Sequence, residues 1–149
     1  MHKARKPGVM SAAEVTELLA REFSQAMSRG SGIIIEDAWH GGCRVRRTFN
    51  ERSLRPGGTI SGPTMMGLTD FAMYVAILAS IGPVPLAVTT NLNINFLRKP
   101  TQKDLIADTK LIKLGKRLAV GEVQIYSEGE DEMVAHATAT YSIPPPEGA

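Results

Sequence analysis

One segment constrains the fold more than any other part of the sequence, because residues 64–81 are apolar on nearly every side. Pro63 stands just before it, and proline is favoured in the first turn of a helix, where its missing N–H leaves no bond unmade. Gly82 and Pro83 end the segment. A helix that is hydrophobic all round must be buried. We therefore predict a central helix over residues 64–81 that the rest of the chain wraps.

β-rich runs flank this predicted helix, two before it and four after it. They span residues 33–35, 43–49, 86–96, 105–114, 118–126 and 133–143. Short, turn-like connectors separate the later runs, which favours antiparallel neighbours. The sequence therefore predicts an α+β fold in which a curved antiparallel sheet of about six strands surrounds the central helix.

A shorter amphipathic helix is predicted near the start of the chain. Ser11 and Glu14 form a capping-box pattern, and apolar residues recur after them at helical spacing as far as Met27. We place this helix over about residues 12–28. No linker or repeat divides the 149 residues, so we expect a single domain over residues 1–149, with residues 1–10 flexible.

The charge pattern and the single cysteine argue against several classes of function. Basic and acidic residues are interleaved and the formal net charge is only +2, which gives little support for a polyanionic partner. Cys43 cannot form an intramolecular disulfide and lacks the companions of a cysteine-rich metal site. The basic start of the chain is not followed by an apolar leader, and residues 71–81 are too few to span a bilayer. We expect a cytoplasmic protein that holds no metal or cofactor and contacts neither membrane nor nucleic acid.

Asp70 is the one charged residue between Arg55 and Arg98, and it lies inside the predicted buried helix. Helical spacing places it on a stripe with Met66 and Tyr74. Burial of an unpaired carboxylate is costly, so such a group is partnered, neutralised or used. Asp70 is therefore either a structural group, bonded to backbone or facing a subunit contact, or a catalytic carboxylate. The Gly-rich loop and helix start upstream offer free N–H donors that suit a developing oxyanion.

The stretch from Arg55 to Asp70 resembles the active-site segment of hotdog-fold thioesterases of the phenylacetyl-CoA thioesterase type. In that family a His-Gly-Gly opens the central helix, and an acidic residue follows the His by nine positions. Ser61 and Asp70 have this spacing. Residues 89–100, 114–119 and 135–141 resemble later strands and turns of the family. The resemblance covers about residues 32–143 and implies a hotdog fold that hydrolyses acyl-CoA thioesters.

The resemblance also implies roles for individual residues. Asp70 would orient or activate the attacking water, Gly62 would polarise the thioester carbonyl through its N–H, and Thr89 would help to hold the water. Two positions depart from the family. Ser61 stands where the family has the His, and Arg55 stands six residues earlier, where the family usually has an Asn. Arg55 could stabilise the oxyanion or the departing thiolate, or it could form a salt bridge with Asp70 and silence it.

Further residues are predicted to bind the two ends of the substrate. The predicted CoA-binding residues are Arg98, Lys113, Gly115, Lys116 and Arg117. The predicted acyl pocket consists of Met65, Met66, Met73 and Tyr74. For the basic residues the alternative is an ordinary solvated turn, and for the methionines it is plain core. The CoA moiety is part of the substrate, so no separate cofactor is implied.

Self-association is implied by the resemblance, as a homodimer that often pairs into a tetramer, with active sites between subunits. Alternation along one predicted strand places Thr89, Asn91, Asn93 and Asn95 on a single polar, uncharged face. We interpret this face as an intersubunit surface, with part of the cleft as the alternative.

Two rival interpretations use the same predicted fold. The departures at Arg55 and Ser61 allow a non-catalytic protein that only binds acyl-CoA. A dehydratase commonly uses an aspartate with a nearby histidine, but no histidine stands between His40 and His136. The His40-Gly41-Gly42 sequence imitates the family motif, yet Phe49 follows nine residues later and the segment is predicted as a hairpin turn.

A third rival, a nucleic-acid binder, is supported mainly by the arginines of residues 43–49. In this run Cys43, Val45 and Arg47 alternate with Arg44 and Arg46, so one face is strongly polar. Aromatic residues are only 5% of the chain, and no second recognition helix accompanies the N-terminal one. This rival is therefore weakly supported.

Overall fold

The computed structural model describes residues 5–25, 27 and 31–145. Its helices are α1, Ala12–Glu22, and α2, Gly62–Ile81. Its strands are β1 Ile33–Trp39, β2 Gly42–Arg47, β3 Leu54–Arg55, β4 Thr59–Ile60, β5 Val88–Phe96, β6 Leu105–Leu114, β7 Leu118–Ser127 and β8 Met133–Ser142. A short 3₁₀ turn, Glu51–Ser53, precedes β3.

Six strands form one antiparallel sheet in the order β1-β2-β6-β7-β8-β5 within the described residues. Strands β6, β7 and β8 follow each other as hairpins, while β5 pairs with β8 and forms one edge of the sheet. The short strands β3 and β4 pair separately in the connection that leads into α2. This arrangement confirms the predicted α+β architecture of a sheet around a central helix.

Helix α2 is the centre of the hydrophobic core. It begins at Gly62, two residues before the predicted start, with Ser61 as its N-cap. Residues 75–80 are all buried, and the Ser80 hydroxyl inside this stretch donates to the Ala76 carbonyl oxygen at 2.7 Å. By length and composition α2 could cross a membrane, but its burial against the sheet accounts for its apolar character.

Met73 and Gly121 show how closely α2 approaches the sheet. Met73 is fully buried, and a Cβ atom on Gly121 of β7 would lie 2.4 Å from its sulfur. Real Cβ atoms do not approach sulfur this closely, so the absence of a side chain at residue 121 makes room for Met73. The helix is thereby held against the middle of the sheet.

Helix α1 is shorter than predicted. It ends at Glu22, and the Phe23 N–H closes it by donating to the Leu19 carbonyl oxygen at 2.7 Å. The buried side chains of α1 all lie before this point, and Phe23 is exposed. Met27 still packs partly buried against the core, but it lies beyond the end of the helix. Residues 26 and 28–30 lie outside the described residues.

The first residues of the chain are described from residue 5 onward. The Val9 N–H donates to the Ala79 carbonyl oxygen at 2.7 Å, and the His40 N–H donates to the Lys6 carbonyl oxygen at 2.9 Å. The Arg5 guanidinium lies 3.7 Å from the centre of a Trp39 ring. The predicted flexibility falls partly on residues 1–4, which lie outside the described residues.

A β-bulge in β5 corrects the prediction of one continuous polar face. Thr89 pairs with Tyr141, but Asn91 pairs with Thr140, so Thr90 is an extra residue on this strand. The extra residue shifts the alternation of side chains. Thr89 therefore shares the inner face with Tyr141, whereas Asn91 and the two asparagines after it lie on the outer face.

Candidate active site

Asp70 lies in the third turn of α2 and is held by two hydroxyl groups. The Tyr141 hydroxyl donates to Asp70 Oδ1 at 2.8 Å and also contacts the Asp70 backbone oxygen at 2.9 Å. The Thr89 hydroxyl donates to the same Oδ1 atom. No described residue donates to Oδ2 of Asp70. One carboxylate oxygen is therefore fixed and the other keeps its capacity to accept a hydrogen bond.

Strand pairing explains why these hydroxyls meet at Asp70. Thr89 and Tyr141 are direct partners in the β5–β8 ladder, and side chains of such pairs lie side by side on one face of a sheet. The bulge at Thr90 begins immediately after this pair. The sheet thus presents both hydroxyl groups to the same helix turn.

The electrostatic surroundings keep Tyr141 protonated. Burial raises the pKa of Tyr141 well above its ordinary value, and the Asp70 charge raises it further although the Thr89 hydroxyl acts in the opposite direction. Tyr141 is therefore a neutral hydrogen-bond donor at physiological pH. The Tyr74 ring packs 6.1 Å from the Tyr141 ring, and the Tyr74 hydroxyl donates to the Pro85 carbonyl oxygen at 2.7 Å.

A cavity of about 760 Å³ opens beside Asp70. Its floor is the outer side of α2, with Gly67, Leu68, Asp70, Phe71 and Tyr74. One wall is formed by Pro85, Ala87, Val88, Thr89 and Tyr141. The opposite wall is formed by Glu22, Phe23, Gln25, Ser31, Ile33 and Arg47. The cavity combines an apolar floor with a few polar groups, as small-molecule sites generally do.

Three of the predicted catalytic residues do not line this cavity. Gly62 and Asp70 are eight residues apart on α2, which is about 12 Å along the helix axis. Ser61 caps the helix, and its hydroxyl lies 2.8 Å from the Thr64 hydroxyl. Arg55 is exposed and, within the described part of the chain, forms no ion pair with Asp70. The structure thus brings Asp70 and Thr89 together, but not with the loop that precedes α2.

The predicted acyl-pocket residues divide between the cavity and the core. Tyr74 lines the cavity. Met65 and Met73 are buried in the core, and Met66 is 42% exposed. The three methionines do not line the cavity beside Asp70.

The predicted CoA-binding residues lie at two ends of the sheet. Gly115, Lys116 and Arg117 line a second groove of about 1220 Å³, which shares Pro85 with the Asp70 cavity. Lys113 is exposed at the end of β6, next to this turn. Arg98 follows the opposite end of β5, where it pairs with Glu132 at 2.5 Å and donates to the Met133 carbonyl oxygen. The turn and Arg98 are therefore separated by the length of β5.

Tyr141 and Arg47 are cavity residues that the sequence interpretation did not identify as part of the site. For Arg47 the signal was its position on the same strand face as Cys43 and Val45, both of which are buried. For Tyr141 the sequence carries no comparable signal, because its role depends on pairing with Thr89.

Two further observations concern possible metal ligands and the single thiol. Among the residues that the structure describes, no cluster of three or more His, Cys, Asp or Glu side chains could hold a metal ion. Burial raises the pKa of the Cys43 thiol to about 12, and the thiol donates to the Ala72 carbonyl oxygen at 3.1 Å. Cys43 is therefore an unreactive core group.

Comparisons with known proteins agree with this geometry. Residues 57–134 match the family model of the thioesterase superfamily. A candidate esterase of Saccharolobus solfataricus is 30% identical over 135 residues, which cover 91% of this chain and 87% of that protein.

Solved structures show the same fold. The crystal structure of a candidate thioesterase from Silicibacter sp. is 39% identical, with a TM-score of 0.84, and the match covers 97% of this chain and 99% of that chain. The E. coli PaaI protein from the phenylacetic acid degradation operon is 21% identical, covers 90% of this chain and 96% of that chain, and has a TM-score of 0.74. The family match and the similarity along almost the whole chain establish that this protein belongs to the thioesterase superfamily and is a hotdog-fold thioester hydrolase.

Proposed function

We propose that this protein hydrolyses acyl-CoA thioesters to a free acid and CoA, with Asp70 as the catalytic carboxylate. The observation that carries the proposal is the Asp70 carboxylate itself, fixed through Oδ1 by Thr89 and Tyr141 at the wall of the cavity. A carboxylate with one oxygen anchored and the other free is well suited to orient a water molecule.

The proposed reaction proceeds by attack of water on the thioester carbon. Oδ2 of Asp70 accepts a proton from the water as its oxygen bonds to the carbonyl carbon, and the carbonyl oxygen becomes an oxyanion. Collapse of this intermediate breaks the carbon–sulfur bond, and the departing thiolate takes up the proton from Asp70. The neutral Tyr141 donor and the Thr89 hydroxyl hold the carboxylate in position throughout.

The oxyanion donor is proposed to come from a second copy of the chain. The Gly62 N–H lies in the first turn of α2, where backbone donors have no partner within the helix, but it is about 12 Å along the axis from Asp70. One chain therefore cannot place both groups on the same carbonyl. In the proposed dimer, Asp70 of one subunit works with Gly62 of the other.

The edge strand β5 is the proposed dimer contact. Edge strands that remain exposed usually carry charges that prevent pairing with other chains, yet Val88–Phe96 contains no charged residue. Val88 and Phe96 at its ends are exposed apolar residues. Pairing of two β5 edges would cover these groups, and a dimer of such dimers is the proposed assembly.

The proposed path of CoA follows the two grooves that meet at Pro85. Lys116 and Arg117 would bind the phosphates, with Lys113 and Arg98 as additional cations, and the pantetheine arm would cross Pro85 to reach Asp70. The acyl group would be aromatic or of short to medium length, since Phe71 and Tyr74 provide aromatic contacts in the cavity. The proposed location is the cytoplasm, where a single unpaired thiol such as Cys43 is stable.

Thiol release from phenylacetyl-, benzoyl-, butyryl- and decanoyl-CoA tests the proposal. The wild type should hydrolyse at least one of these thioesters, and Asp70→Asn should lower kcat by about 100-fold or more. Thr138→Ala, on the exposed outer face of β8, is the matched control. The proposal fails if folded wild type releases no thiol, or if Asp70→Asn is as active as the control.

A further inference from the structure

The arginines of β2 lie on two different faces of the strand. On the outer face, Arg46 pairs with Asp104 at 2.9 Å and with Glu36 at 3.1 Å, and Arg44 lies 3.5 Å from Glu36. Arg47 lies on the inner face and lines the cavity that contains Asp70. The outer arginines are thus neutralised by neighbouring carboxylates. Arg47 lies on the other face and, among the described residues, has no carboxylate partner.

Arg47 has only weak partners in the described part of the chain. Its guanidinium donates to the Ser31 carbonyl oxygen and to the Ser53 hydroxyl, both at 3.4 Å. Both acceptors are uncharged, and among the described residues Arg47 forms no ion pair. Because a guanidinium has five N–H donors and this side chain is partly buried, Arg47 retains donors that an anion in the cavity can use.

The position of Arg47 relative to Asp70 defines the kind of anion. Arg47 lies on the wall opposite Thr89 and Tyr141, and Asp70 lies on the floor between these walls, on the outer side of α2. Among the residues that the structure describes, the charged groups that line the cavity are Arg47, Asp70 and the exposed Glu22. A negative group on the substrate is repelled from the carboxylates and attracted to Arg47.

We propose that Arg47 binds a carboxylate at the far end of the acyl group, so that the preferred substrates are CoA thioesters of dicarboxylic acids. This inference rests on the proposed function, since it takes the thioester carbon to lie beside Asp70. The methylene groups between the two ends contact Leu68 and Phe71 on the cavity floor. Arginine suits this role because its planar guanidinium forms two parallel hydrogen bonds with a carboxylate.

Adipoyl-CoA and hexanoyl-CoA test the proposal as a matched pair, because their acyl chains have the same length and differ in the terminal carboxylate. The wild type should hydrolyse adipoyl-CoA with the higher kcat/KM. Arg47→Met should lower kcat/KM for adipoyl-CoA by at least about tenfold, the effect expected when a charged hydrogen bond is lost. The same variant should change kcat/KM for hexanoyl-CoA by less than about threefold.

Two further variants distinguish recognition of the substrate carboxylate by Arg47 from a role of Arg47 in holding the structure. Arg44→Met removes a positive charge from the outer face of the same strand, and it should leave the preference between the two thioesters unchanged. Arg47→Lys keeps the charge and should retain part of the preference for adipoyl-CoA. If Arg47→Met lowers both activities equally, Arg47 holds the structure or a part common to both thioesters, and the proposal is overturned.

Direct binding distinguishes failure of this proposal from failure of the proposed hydrolysis. If the wild type releases thiol neither from these two compounds nor from the four thioesters that test the proposed function, hydrolysis is refuted, and calorimetry with adipoyl-CoA and hexanoyl-CoA still tests Arg47. Adipoyl-CoA that binds the wild type at least about tenfold more tightly than Arg47→Met supports the proposal. Equal affinity of the two proteins for adipoyl-CoA overturns it.

Discussion

The Tyr141 hydroxyl donates to Oδ1 of Asp70 at 2.8 Å, although the two residues are 71 positions apart in the sequence. Tyr141→Phe removes this donor while keeping the ring that packs on Tyr74. We expect kcat to fall by about 3- to 30-fold, with KM changed less than twofold, because the bond positions the carboxylate rather than the substrate. Steady-state kinetics checks this. A change confined to KM would assign Tyr141 to substrate binding instead.

The contribution of Thr89 to kcat should depend on its hydroxyl group and not on the shape of its side chain. Thr89→Val keeps the branched side chain but loses the donor to Asp70, and we expect kcat to fall by about tenfold. Thr89→Ser retains the donor and should recover most of the activity. Thr90→Val, at the neighbouring exposed bulge residue, is the control. Equal activity of the valine and serine variants at residue 89 would show that the hydroxyl has no role.

Mixed dimers can show whether one active site uses two chains. Asp70→Asn and Gly62→Pro, which removes the proposed N–H donor, should each be nearly inactive. Co-expression of both variants with different affinity tags should yield hybrid dimers in which one of the two sites has an intact Asp70 and an intact Gly62. A random mixture should then recover about a quarter of the wild-type activity. Hybrid dimers without activity would place both groups of a site on one chain.

Ser61 is expected to act on stability through its capping bond. Its hydroxyl accepts from the Thr64 N–H at 3.4 Å and contacts the Thr64 hydroxyl at 2.8 Å. Ser61→Ala should lower the free energy of unfolding by about 1 kcal/mol, and Ser61→Asn should restore most of it because asparagine is also a good N-cap. Urea unfolding measures both values. An alanine variant as stable as the wild type would rule out the capping role.

The buried Cys43 thiol should make the folded protein less stable at alkaline pH. Its pKa is raised by burial from an ordinary value of 9.0 to about 12. Above pH 9 the unfolded chain therefore binds fewer protons at this thiol than the folded chain does, and the free energy of unfolding falls as pH rises. Between pH 8 and pH 10.5 the wild type should lose about 2 kcal/mol more than Cys43→Ala. Urea unfolding at the two pH values tests this, and parallel losses would contradict it.

The fold could be predicted because its strongest signals are local. The all-round apolar character of residues 64–81 requires burial, and the β-rich runs leave a sheet as the only element that can enclose them. The end of α1 was predicted wrongly, since helical spacing continues to Met27, which packs against the core, while the helix itself ends at Glu22 and its last buried residue is Leu19. Periodicity reports which residues could face a core and not where that core ends.

The site could be predicted only in part, for a similar reason. Asp70 is conspicuous as an isolated charge, and the family resemblance adds Thr89. Tyr141 becomes part of the site through the β5–β8 register, which no local pattern specifies. Arg47 shares the apolar face of its strand with Cys43 and Val45, but no local pattern shows that this end of the face lines the cavity beside Asp70.

The extra residue at Thr90 separates two sets of side chains on β5. Downstream of it, the outer asparagines pair with outer residues of β8, and upstream of it Thr89 faces inward. The outer asparagines can therefore be replaced during evolution without disturbing the Thr89 hydroxyl beside Asp70. If Thr90 instead paired as an ordinary residue of the ladder, strict alternation would turn either Thr89 or the asparagines to the wrong side, whereas deletion of Thr90 would leave both where they are. Relatives that keep the length of this strand but lack the bulge should consequently differ in active-site chemistry or in assembly.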